Sequence, residues 1–93
     1  MINNNERDLL CKTMASSLPM LRAKLAWSQD DLAKRLDVTR QTISAFESGN
    51  RKLPWSMFLA LTMLFYANPS TNSLLEALEI FNDDLRAFLA IRC

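Results

Sequence analysis

The 93 residues suffice for a single domain with one core and leave no room for a core plus an elaborate active site. Apolar residues make up 49% of the chain, so it should fold, and one Gly with three Pro leaves few turn signals, as in an all-helical bundle with short connections. The formal net charge of +1 excludes the strongly basic signature of a non-specific nucleic-acid binder.

In chain order, the first expected helix runs from about Asn5 to Ser16, capped by Asn5, with Leu9, Leu10 and Met14 on its apolar side. Ser16-Ser17-Leu18-Pro19 predicts a break, after which a second helix to about Ala26 turns Leu18, Leu21 and Leu25 inward. Trp27-Ser28 is the next interruption. Ser28 followed by Asp31 fits a capping box, opening a helix to Leu36 that buries Leu32, Ala33 and Leu36. Asp37-Val38 is a tight connection, and Thr39 caps a helix from Arg40 to about Ser48 that buries Ile43 and Phe46. Gly49-Asn50 supplies a left-handed stop.

Arg51-Lys52-Leu53 reads as an exposed loop. Pro54 then opens a helix to about Phe65, apolar nearly all round and therefore expected at the centre of the fold, with Met57, Phe58, Met63 and Phe65 as core. Trp55 is expected to pack against its surroundings. Asn68-Pro69-Ser70-Thr71-Asn72 is the strongest loop signal in the chain. Beyond it, Leu74, Leu78, Phe81, Leu85 and Phe88 form one helix face, with a possible restart at Asn82-Asp83-Asp84. That stripe either covers the central helix or forms a dimer seam. The expectation is an all-α bundle of five to six helices.

Cys11 and Cys93 lie near opposite ends in no metal or redox spacing, so inert thiols and a reducing cytoplasm are expected. The polar start, Asn3 to Asp8, argues against a signal peptide, and Met57–Ala67 is too short to span a bilayer. With no His, and acids in adjacent pairs (Asp30-Asp31, Asp83-Asp84) that diverge by about 100° on a helix, no catalytic site and no cofactor is indicated.

Charge is unevenly distributed. From Ser17 to Ser56, Arg22, Lys24, Lys34, Arg35, Arg40, Arg51 and Lys52 face Asp30, Asp31, Asp37 and Glu47, whereas the tail is acidic, so a polyanion would meet the middle. There, two short helices joined by a brief turn must cross steeply, which the small Ala33 permits. With Ile43 pointing inward, Phe46 and Glu47 share its side, while Gln41, Ser44, Ala45 and Ser48 point away and Arg40 reaches forward from the N-terminal end. Such a helix can enter a major groove roughly 12 Å wide, where Arg reads guanine and Gln reads adenine.

The run Gln29–Leu36, then Val38–Ser44, then Phe46–Arg51 resembles the Cro and lambda-repressor-like (XRE) helix-turn-helix family, over about Leu18 to Phe65. The resemblance implies double-stranded DNA as partner, a homodimer, and transcriptional regulation, with the Thr39–Ser48 helix reading bases. By the same resemblance, Arg40, Gln41, Ser44 and Ala45 contact bases, and Gln29, Thr39, Thr42, Asn50, Arg51 and Lys52 contact phosphates. Arg22 and Glu47 match a family ion pair beneath the DNA-binding surface. One departure is Asp37, where the family usually has Gly; Asp tolerates left-handed geometry at modest cost. The division that follows is residues 1–16 as an N-terminal helical extension, 17–67 as the DNA-binding domain and 68–93 as a C-terminal helical segment. An antitoxin-like module whose tail docks a partner protein is the rival reading. No membrane association or small-molecule effector is indicated.

Overall fold

In the computed structural model, which describes residues 2–90, the helices are α1 (Asn4–Leu25), α2 (Gln29–Leu36), α3 (Arg40–Ser48), α4 (Trp55–Tyr66), α5 (Pro69–Ala77) and α6 (Asp83–Phe88). The expected break at Ser16–Pro19 is absent: α1 is one helix of 22 residues with Pro19 inside it, and Asn3 rather than Asn5 is its cap. Two causes override the local signal. Met14, Leu18 and Leu21 are all fully buried along one side of α1, where it meets α3, α4 and α5. The Ser17 hydroxyl donates to the Thr13 carbonyl at 2.7 Å, bonding back into its own helix instead of capping a new one. Leu9, expected inward, lies off this face and is exposed.

Helix α1 ends on Ala26 in the left-handed region (φ 56°), with Trp27 N–H donating to the Arg22 carbonyl at 3.0 Å. Asp37 (φ 57°) and Gly49 (φ 80°) stop α2 and α3 in the same way. The α2 capping box is complete: Asp31 N–H donates to Ser28 Oγ and Ser28 N–H to Asp31 Oδ2, each at 3.0 Å.

Phe58, Leu61 and Phe65 of α4 are fully buried, but Met63, expected in the core, is largely exposed and Met57 half-buried. The segment from Asn68 to Asn72 is not a loop. Asn68 stands at the N-cap position of α5 without a side-chain cap bond, and Pro69 takes the first helical position, where a missing N–H costs nothing. The other polar groups serve the end of α4, whose last carbonyls have no partner in their own helix. Asn68 Nδ2 donates to Leu64 O at 2.7 Å, Asn72 Nδ2 to Tyr66 O at 2.8 Å, and the buried Thr71 hydroxyl to Phe65 O.

The restart near Asn82 is present. Glu79 (φ 59°) breaks the chain, and Asn82 Oδ1 accepts the Leu85 N–H at 2.8 Å to open α6. Of the expected stripe, Phe81 and Leu85 are buried and Leu74, Leu78 and Phe88 are half-buried against the core, while Leu75 and Ile80, which the stripe did not include, are fully buried. Trp55 is packed too, stacked on Phe58 (centroids 4.8 Å apart) and edge-on to Phe88. Cys11 is a buried free thiol; Cys93 lies outside the described residues.

Candidate nucleic-acid interface

The α2–α3 unit is built from the seam upward. Leu32, Ala33, Ile43 and Phe46 are buried together, and Val38 N–H closes the turn on the Ala33 carbonyl at 3.0 Å. Thr39 caps α3 by accepting the Thr42 N–H at 3.2 Å, and the two threonine hydroxyls lie 3.0 Å apart.

The seam leaves one side of α3 facing outward. Arg40, Gln41 and Ser48 are exposed and Ser44 and Ala45 half-exposed; with Asn50 these residues line one shallow depression of about 210 Å³. Among the described residues no carboxylate lines it. The first turn of α3 carries no acid, and among the described residues Arg40 makes no ion pair. The positive end of the helix dipole and the Arg40 guanidinium therefore reinforce each other at the leading end.

Glu47, the only acid on α3, is held on the opposite side. Arg22 Nε donates to Glu47 Oε2 at 2.7 Å and Nη2 to Oε1 at 3.0 Å, in a two-pronged pair whose side chains are only 16% and 9% exposed. The bond to Glu47 raises the Arg22 pKa and keeps the guanidinium charged. Its remaining arm donates to the Trp27 carbonyl at 3.0 Å. The end of α1, the α1–α2 turn and α3 are thus tied at one point, which fixes the attitude of α3.

Two of the expected phosphate ligands have partners that the sequence pattern did not reveal. Gln29 Nε2 donates to Glu47 Oε1 at 3.0 Å, so the glutamine belongs to the ion-pair network. Lys52 Nζ lies 2.9 Å from Asp8 Oδ1 of α1, which raises the lysine's pKa. Asn50 and Arg51 are exposed beside Gly49, with the Arg51 guanidinium 5.5 Å from the Phe46 ring centre. Two further arginines lie on tryptophans: Arg35 at 3.9 Å from the Trp27 ring centre and Arg7 at 4.9 Å from that of Trp55. The first contact joins α2 to the turn that precedes it, and the second joins α1 to α4.

Among the described residues no group of His, Cys, Asp and Glu gathers to hold a metal ion, and no helix is long and apolar enough to cross a membrane. Residues 20–56 match the helix-turn-helix family, a family of DNA-binding domains. No curated protein and no solved structure matches the chain.

Proposed function

From the premise that the chain belongs to the Cro and lambda-repressor-like helix-turn-helix family, whose pattern its residues 20–56 carry, we propose that it is a sequence-specific regulator of transcription that lays α3 in the major groove of duplex DNA. The observation that carries this reading is the outward side of α3: small or polar, free of carboxylates, and attached to a rigid inner side. A helix of nine residues is about 13 Å long, which suits a groove roughly 12 Å wide. Arg40 and Gln41 lead base readout, with Ser44 and Ala45 keeping the approach close. Thr39, Thr42, Asn50, Arg51 and Lys52 anchor phosphates, and Gln29 adds its second amide hydrogen there. The protein acts in the cytoplasm as a homodimer, on half-sites about one helical turn apart. The rival reading, a tail that docks a partner, draws less support, because Leu75, Ile80, Phe81 and Leu85 are engaged in the core.

Selection of bound duplexes from a random pool tests this: an enriched palindrome supports the reading, and no enrichment over random DNA refutes it. In gel shifts on the selected site, Arg40→Ala should lose roughly 1–3 kcal/mol and relax one base position. Equal loss on random DNA would refute direct readout by Arg40.

A further inference from the structure

Asp8 belongs to the N-terminal part of α1, outside the stretch that matches the family, yet its carboxylate oxygen is 2.9 Å from the Lys52 ammonium in the loop after α3. Both side chains are open to water, 50% exposed for Asp8 and 73% for Lys52. A surface groove between α1 and this loop, about 500 Å³, presents the cations Lys12, Arg51 and Lys52. Two carboxylates line the same groove, and Glu47 is already neutralised by Arg22. Asp8 is the other.

We infer that Asp8 is an internal competitor of DNA phosphate for Lys52, so that the N-terminal helix lowers the affinity of the DNA-binding surface. The inference rests on the reading that Lys52 meets phosphate. An exposed pair is held weakly, so Lys52 can exchange partners readily. The exchange gives up the attraction between Lys52 and Asp8, and in water that attraction corresponds to about a fivefold change in binding at low salt. It also means that Lys52 arrives already neutralised and releases less than a full counterion from the DNA. Each phosphate neutralised contributes about −0.9 to the slope of log K against log salt.

The experiment is binding of the selected duplex by the full chain, Asp8→Asn, Lys52→Ala and the double variant across a salt series, with thermal melts confirming that each is folded. The expected result is about fivefold tighter binding by Asp8→Asn at low salt, a slope steeper by up to about 0.9, and a gain that fades as salt rises. In the Lys52→Ala background Asp8→Asn should change little. Tightening of equal size in that background, or weaker binding by Asp8→Asn, overturns the inference while leaving the Lys52 contact intact. Unchanged binding by Lys52→Ala removes that contact and the inference with it.

Discussion

On the inward side of α3, Ile43 and Phe46 are buried and both oxygens of Glu47 are taken, by Arg22 and Gln29; on the outward side, Arg40 and Gln41 are exposed, and among the described residues no carboxylate lines the depression they share. The apolar seam and the ion pair that hold the helix against the rest of the fold thus lie on one face, while the outward face, among those same residues, bonds only within its own C-terminal end, through Ser48. The difference teaches that the inward face sets where α3 lies, and the outward face is free to be chosen for what it touches. A substitution on the inner face should therefore appear as lost stability, and one on the outer face as lost recognition.

The comparison is tested hardest at Phe46. Its ring is 1% exposed in the seam, so Phe46→Ala should cost about 3–5 kcal/mol, read by denaturant unfolding. Arg22→Ala comes next, at about 3 kcal/mol, the low end of the range for breaking a buried pair because the arginine keeps some contact with water. Removing Glu47 as well should restore part of that loss, since no charge is then left buried without its partner. Arg40→Ala should sit at the other extreme, within about 0.5 kcal/mol of the parent in stability. If Arg40→Ala destabilised the fold as much as Arg22→Ala, the division between the two faces of α3 would fail.

What could be read from the sequence, and what could not, follows the same physical division between local and distant causes. The limits of α2 and α3 were legible because Ser28, Asp31, Thr39 and Gly49 act on backbone groups one to three residues away. The side of α3 turned to solvent followed from periodicity once Ile43 was placed inside. Pro19 misled because its local preference for a helix start is outweighed by the burial of Met14, Leu18 and Leu21 against three other helices. Asn68 to Asn72 misled because polar side chains suit both an exposed loop and the unpaired carbonyls of a helix end, and only the fold brings Leu64, Phe65 and Tyr66 within reach. The partners of Gln29 and Lys52 lie on other helices, where no spacing rule applies.

The smallest expected effect concerns the entrance to α2, which delivers Gln29 to the Glu47 network. The Ser28 backbone N–H, and then its hydroxyl, hold the Asp31 carboxyl below the usual carboxylate range, with Arg35 and Lys34 adding to the shift. Because the folded value lies below the unfolded one, this contribution is complete above the ordinary Asp value of about 3.9 and is lost as pH falls through the folded value. Asp31→Asn should therefore melt below the parent by a constant small margin from about pH 7 down to pH 5. Below about pH 4 the two melting curves should converge, as the parent's carboxyl takes up its proton and gives up the stronger of its two ways of accepting the Ser28 N–H. A margin that stayed the same at about pH 2 would mean that the charge of Asp31 contributes nothing to holding α2, and through it Gln29, on the inward side.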